Sequence, residues 1–390
     1  MRVLLLASQF HVGAAELLAV ELATNLNKTG IPAELASMYA ETMDWAPAAR
    51  AQILAGGVPN VHFLGLPVSP SVPQLAGAAL KLRRLLLEGR FDFVETSSPS
   101  LGILASFACA GTRVRHIAGL HQTFYRHEHR SIRPRLFALC TRSRPGTRFY
   151  AVSEFVKETW VEYSGASASR VRVVYNSISP KPVPADLAAA KSRLRAEFCV
   201  TGNTRLALCV GRLAYYKRPD TVLDALAPIC TEHDLVLLFA GDEDPSVPGT
   251  TEMLGKMRAL VEQSGLQSRV RYLGHRSDTA ELMAAADILV HGTQKEAFGL
   301  VLAEAMAAGL PVVSTRVEGT SEVLLDTGYL LVPPNDPAQL RQAVLETLAF
   351  PAARLEAAKA KGRERAGLYS PAIRTSRMAG LLEDASAGRF

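Results

Sequence analysis

The chain has 390 residues, 48% hydrophobic and 21% charged, too many for one hydrophobic core, so two packed α/β domains are expected and disordered or collagen-like chains are excluded. The five cysteines (Cys109, Cys140, Cys199, Cys209, Cys230) sit in no Cys-x-x-Cys or His-flanked spacing, so buried thiols are expected rather than a disulfide framework or zinc site. The net charge of +6 is modest; no apolar run approaches the ~18 residues of a membrane span and the first ten residues are too briefly apolar for a signal peptide, so a cytoplasmic protein is expected.

Short apolar runs alternate with helical spacing from the first residue. Residues 3–7 read as a strand. Residues 15–26 read as a helix with Leu17, Leu18, Val20, Leu22 and Leu26 mostly on one face. Residues 61–64, 91–95 and 114–120 read as strands, with a basic amphipathic stretch at 81–88. Such alternation builds βαβ units around a parallel sheet. Between Arg113 and Arg148 stand nine arginines and one acid, Glu128, with His116, His121, His127 and His129 among them. The tract suits an acidic acceptor, a phosphorylated lipid head group or an anionic membrane surface, and equally a solvated basic face. Nucleic acid is not expected as a partner, because no recognition motif accompanies the charge.

The prolines within 176–184 resist both helix and central strand, which marks an interdomain linker. The alternation then restarts, with strands at 206–210, 235–240, 270–273, 288–290 and 311–315. Between them lie helices at 219–229, 252–264, 278–285 and 299–308, and 371–385 forms a closing helix. The fold class expected is α/β, two doubly wound halves facing each other across a cleft. In such sheets ligands bind where strands end in loops that feed helix N-termini.

Three of these loops carry chemistry. The first, Ser8 to Glu16, has a small-residue turn at Gly13 that lets backbone amides approach a diphosphate, and a tight turn without a ligand fits as well. In the second, Val210-Gly-Arg-Leu-Ala-Tyr-Tyr-Lys217, Arg212 and Lys217 converge at a strand end, and a guanidinium beside an ammonium suits two bridged phosphates. The third runs from His291 to Pro311. There Glu296 precedes an apolar helix and Glu304 lies inside it, where a carboxylate needs a partner such as a ribose diol, an arginine or an amide. The amides of Phe298, Gly299 and Leu300 are first-turn donors, able to hold sugar hydroxyls or phosphate.

The Glu-x7-Glu spacing of Glu296 and Glu304, embedded in KEAFGLVLAEAMAAGLPVV, resembles the signature of retaining glycosyltransferases of family 4, which have the GT-B fold of two Rossmann-like domains. Further likenesses follow in the family's order: GAAE at 13–16, VSEFVKE at 152–158, VVYNS at 173–177, VGRLAYYK at 210–217, AGDED at 240–244 and a glycine-and-acid loop at 318–322. The resemblance implies an acceptor-binding domain at 1–178, a donor-binding domain at 179–368 and a C-terminal helix at 369–390 crossing back to the first domain. It implies that Glu304 binds the donor ribose, Glu296 contacts the transferred sugar, Arg212 and Lys217 neutralise the diphosphate, Gly13 lets the first loop close on it, and His121 touches the sugar.

The implied reaction moves a hexose-type sugar from a UDP- or GDP-linked donor with retention, through a front-side, oxocarbenium-like departure whose charge is stabilised electrostatically. No cofactor and no metal are expected, because the nucleotide sugar is a co-substrate and two cations already serve the phosphates. The acceptor stays open among a glycan, a lipid-linked sugar and a small natural product, as does peripheral association with an anionic membrane. A sugar-nucleotide epimerase of the same fold and a catalytically silent nucleotide-sugar-binding subunit are the alternatives. The family pattern is broken at Ala14, Ser177, Arg218 and in Glu318-Gly-Thr-Ser-Glu322.

Overall fold

The computed structural model describes all residues except 11–13, 44–45, 126–131, 143, 145, 179–186, 201 and 390. The chain divides into two compact units, one of Met1–Ser177 with Pro371–Phe390 and the other of Ile178–Ser370.

The first unit carries strands β1 (Val3–Ala7), β2 (Ala33–Tyr39), β3 (Val61–Leu66), β4 (Phe93–Thr96), β5 (Arg115–Leu120), β6 (Arg148–Ala151) and β7 (Val171–Val173). They form one parallel sheet in the order β3-β2-β1-β4-β5-β6-β7. The second unit carries β8 (Arg205–Val210), β9 (Leu235–Ala240), β10 (Val270–Tyr272), β11 (Ile288–His291), β12 (Val312–Thr315) and β13 (Leu330–Val332), parallel in the order β10-β9-β8-β11-β12-β13. Strands buried on both faces read as unbroken apolar runs, and Val-Leu-Leu-Leu-Ala in β1 and Leu-Val-Leu-Leu-Phe-Ala in β9 are buried at every position. In both sheets the connections reverse direction between the first and fourth strands, which opens a crevice at the carboxyl ends of β1 and β4 and of β8 and β11.

Side chains alternate across β1. Val3, Leu5 and Ala7 join one core with Leu22, Ala23 and Leu26 of the helix Ala14–Lys28, while Leu4 and Leu6 join a second with Leu82 and Leu86 of the helix Val72–Glu88. Met378, Leu381, Leu382 and Ala385 of the helix Pro371–Ser386 pack into the first of these cores, each leucine contributing ~1.5–3 kcal/mol by its burial. Leu17, by contrast, is exposed rather than part of the apolar face expected of its helix.

Four further expectations are corrected. β2 escaped the sequence reading because its Ala-Glu-Leu-Ala-Ser-Met-Tyr run buries two polar side chains. Glu34 is ion-paired to Arg2 and hydrogen-bonded to His62 Nε2 at 2.7 Å, and Ser37 Oγ donates to the carbonyl of Ser8. The helix expected at 219–229 is two, Pro219–Leu226 and Ile229–Glu232, divided at Pro228, which has no N–H to continue the ladder. The segment read as a loop at 318–322 is the short helix Glu318–Val323, whose first turn Thr320 Oγ1 stabilises by accepting from the amide of Val317. Cys199 is exposed, not buried.

Candidate active site

In the second unit β8 delivers Val210 into a turn that only glycine permits. Gly211 and Gly241 both have left-handed or fully positive φ, +142° and +153°, and a Cβ on Gly241 would overlap the carbonyl of Gly211. The absence of side chains there lets the loops after β8 and β9 lie together. The amide of Leu213 donates to Asp242 O at 2.8 Å, and that of Asp244 to Leu213 O at 3.2 Å. The carboxylate of Asp244 then holds Arg212 at 2.7 Å while the hydroxyl of Tyr216 accepts from its other nitrogen at 2.7 Å. The guanidinium itself stays 62% exposed, fixed in direction yet open to an anion.

Lys217 follows in a 3₁₀ turn, Tyr215–Lys217, closed by Arg218 at φ +51°. That left-handed value explains why glycine suits this position. Arg218 tolerates it at a cost of ~1–2 kcal/mol, with its side chain paired to Asp220 at 2.8 Å. From the neighbouring strand, β11, the loop His291 to Glu296 is fastened to this turn. Gln294 N and Thr293 Oγ1 both donate to Tyr216 O, and Gly292 lies so near Arg218 O that a Cβ would come within 2.9 Å of it.

The result is a contact between charges 79 residues apart in sequence: Lys217 Nζ donates to Glu296 Oε2 at 2.5 Å. Burial works against ionisation of Glu296, but the Lys217 charge, the nearby His291 ring and the Phe298 amide prevail and hold its carboxyl below the usual range. His291 Nε2 lies 3.8 Å from the same oxygen, and burial followed by the Lys217 charge pushes its ring down to about 4, so it is neutral near pH 7. The backbone of Glu296 is held as well, since its carbonyl accepts from Gly319 N at 3.2 Å, where any Cβ on Gly319 would collide with it. The acidic helix at 318–323 therefore acts as a brace for Glu296.

Of the expected helix donors, Phe298 is already engaged, since its amide serves the Glu296 carboxylate. Gly299, at φ +99°, caps the helix Leu300–Ala307, and the first amides to close on Gly299 O are those of Leu302 and Ala303. The amides of Leu300 and Val301 thus precede the helix's own ladder. Glu304 is half-buried one turn further on and lines a cavity of about 400 Å³ that also reaches Arg205 and Asp287 near the amino ends of β8 and β11.

In the first unit His121 follows β5 at its carboxyl end, with Nε2 3.0 Å from the hydroxyl of Tyr150. Gly13 lies outside the described residues, as do Arg126 to Arg130 of the basic tract. Asp244, Tyr216, His291 and Gly319 carry the geometry of the second unit's site without having been singled out from sequence, although Asp244 falls inside AGDED and His291 opens the long segment. Among the described residues no group of three His, Cys, Asp or Glu side chains is placed to hold a metal ion, and no helix is long and apolar enough to cross a membrane.

Two doubly wound parallel sheets, one in each unit, are the architecture of the GT-B class. Residues 15–181 match Glycosyltransferase Family 4 and residues 191–365 match Glycosyl transferases group 1. Together with the two-sheet architecture, these matches make the chain a glycosyltransferase of the GT-B type.

Similar curated proteins include N-acetyl-alpha-D-glucosaminyl L-malate synthase of Bacillus anthracis, 35% identical over 41% of this chain and 40% of its own length. The lipopolysaccharide glucosyltransferase WaaG of Escherichia coli is 36% identical over 37% of each chain. The chain thus spans less than half the length of these relatives. Among solved structures, Anabaena HepE in complex with UDP and glucose superposes with a TM-score of 0.81 at 21% identity, over 98% of this chain and 99% of that one, which establishes the shared fold.

Proposed function

We propose that this chain transfers a hexose-type sugar from a nucleoside-diphosphate sugar to an acceptor hydroxyl with retention of anomeric configuration and without a metal. The observation that carries the reading is the Lys217–Glu296 contact of 2.5 Å beside the tethered, exposed Arg212, at the carboxyl ends of β8 and β11. In the reaction the bond from the anomeric carbon to the distal phosphate oxygen breaks and leaves negative charge on the diphosphate. Arg212 and Lys217 receive that charge, and the amides of Leu300 and Val301 add donors of fixed direction. Positive charge gathers at the anomeric carbon, where the Glu296 carboxylate stabilises it. The acceptor oxygen enters on the face the phosphate leaves, and its proton passes to the departing phosphate oxygen. In this reading Gly13 serves the closing of the first loop and His121 a hydroxyl of the sugar, while the ribose role of Glu304 asks it to serve the carboxyl end of the sheet from a side chain that lines the cavity near the amino ends of β8 and β11. HepE, which shares the fold, is seen with UDP-glucose, so UDP-linked donors are the first to test.

The first unit is the acceptor side of this reading. Relatives named for malate and for inositol 3-phosphate favour an anionic acceptor, which the basic tract would receive. On the neighbouring helices Val72–Glu88, Pro99–Ala108 and Arg133–Arg142, Leu80, Phe107 and Leu139 are exposed at 68%, 59% and 65% beside Lys81, Arg84, Arg135 and Arg142. Exposed apolar side chains interleaved with cationic ones on neighbouring helices suit an anionic lipid surface. Co-sedimentation with phosphatidylglycerol vesicles at low salt and its loss at high salt is the expected result, and no binding at low salt would remove the membrane from the reading. The reaction itself is tested by incubating the protein with UDP-glucose and GDP-mannose and a panel of acceptors. Free nucleoside diphosphate should accumulate only with donor and acceptor together, and an isomerised donor formed without acceptor would overturn the transferase reading.

A further inference from the structure

At the carboxyl end of the first sheet lies a buried polar chain that the reaction above does not use. Register places Glu95 of β4 opposite Ile117 and Tyr150 of β6 opposite Gly119, so β5 runs between the two side chains. A Cβ on Gly119 would stand 2.5 Å from the Tyr150 oxygen. Glycine there allows the phenol to cross β5 and donate to Glu95 Oε1 at 2.6 Å. The same phenol oxygen lies 3.0 Å from His121 Nε2, with the two rings edge to face at 87°. Glu95 is 3% exposed and Tyr150 1%.

A phenol has one proton. Burial, then the charge of Glu95, drives the Tyr150 hydroxyl well above its ordinary range, so it keeps that proton. Spent on Glu95, the proton is not available to His121, and the short contact between the imidazole and the phenol oxygen then requires Nε2 to be the donor. Burial, followed by the Arg374 charge, pushes the His121 ring down to about 3, so one nitrogen is bare. Arg374, from the helix Pro371–Ser386, is the cation facing this group. Its Nη1 donates to Leu18 O at 2.7 Å and stands 3.8 Å from Glu21, which keeps it beside the chain of three.

We propose that Glu95 and Tyr150 are positioning residues that fix His121 as its Nε2–H tautomer, leaving Nδ1 as an acceptor for a sugar hydroxyl. An unprotonated nitrogen repels a phosphate oxygen and welcomes an O–H, so the lock sorts the two ends of a nucleotide sugar. The meaning of the lock for the sugar rests on the donor role given to His121 above; the lock itself does not.

The test reads the imidazole nitrogens directly, by long-range proton–nitrogen NMR on the full chain labelled at histidine, with His121→Gln to assign the signals. The wild type, without any nucleotide sugar and at pH 8.5, above the value of about 7 to which burial raises the Glu95 carboxyl, should show His121 neutral with the proton on Nε2. Glu95→Gln offers an amide donor to the phenol oxygen, frees the phenol proton for Nε2 and should turn His121 over to Nδ1–H. Tyr150→Phe should leave an exchanging mixture. An Nδ1–H ring in the wild type, or a tautomer unmoved in both variants, would overturn the proposal. A second arm titrates UDP and UDP-glucose. If UDP binds the wild type and Glu95→Gln alike while UDP-glucose weakens about tenfold in the variant, lock and sugar contact both stand. If the tautomer turns over and UDP-glucose binding does not change, the lock stands and the donor role of His121 falls.

Discussion

The two units share a strand order and differ in what they do with it. In the second, the carboxyl ends of β8 and β11 carry Arg212, Lys217 and Glu296, charges held by close backbone contacts at Gly241, Gly292 and Gly319 and partly open to solvent. In the first, the carboxyl ends of β4, β5 and β6 carry Glu95 and Tyr150, both buried, and His121, which is half-buried. In the proposed function one sheet presents ions to a ligand, while the other uses a buried carboxylate to decide where a neutral ring keeps its proton. A single topology thus supports a site built on charge and a site built on tautomer, and the difference lies in how deeply the carboxylate is buried, Glu95 being 3% exposed and the Glu296 side chain 14%.

The largest test of that contrast is Lys217→Ala, which strands Glu296 in a buried setting. Turnover should fall about 10³-fold, equivalent to ~4 kcal/mol. Adding Glu296→Gln to it should restore the unfolding midpoint without restoring turnover; recovery of both would show that the pair is structural only. Next in size is Leu381→Ala in the core of the first unit, expected to cost ~2–5 kcal/mol in a denaturant titration, while the second unit's transition holds its midpoint.

Smaller is the effect of pH on Glu95. Burial raises its carboxyl to about 7, with Tyr150 and Arg374 pulling the other way. A raised folded value means stability present below the unfolded pKa of 4.5 and lost as pH climbs through about 7. Glu95→Gln removes that loss, so its stability relative to the wild type should grow by ~2 kcal/mol between pH 5 and pH 8. His116 and His121, both pushed down to about 3 by burial first, act in the opposite sense, gaining stability as pH rises from 3 to 6.5. His116 is common to both proteins, and His121 at about 3 titrates below the pH 5 to 8 window of the comparison. Smallest of all is EDTA, which should leave transfer unchanged; a rate that falls on chelation and returns with magnesium would break the assignment of phosphate charge to Arg212 and Lys217 alone.

Much of the second unit was legible because its central strands are built on apolar runs and its site lies in loops a few residues long. Arg212 and Lys217 are five apart, and Glu296 sits where an apolar helix begins. What escaped there was support at a distance, such as Asp244 orienting Arg212 or Gly319 bracing Glu296, because those partners are set by how two loops meet. The first unit was harder to read. β2 hides its polarity inside the fold through Glu34 and Ser37, and Glu95 and Tyr150 stand 55 residues apart, joined only because Gly119 in the intervening strand lacks a side chain. His121 was visible as a strand-end histidine, while the groups that govern its proton were not.

The helix Pro371–Ser386 completes the core of the unit in which the chain begins, although the whole of the other unit separates the two stretches. On the ribosome, therefore, the second unit can reach its native packing while Leu22, Leu26 and the strands around them still wait for Leu381 and Leu382. The unit whose strands are made before the second unit is thus completed after it, and Arg374, arriving with that helix, brings the counter-ion of Glu95 only then. A nascent chain stalled before residue 371 should accordingly expose its early half to protease while its later half resists.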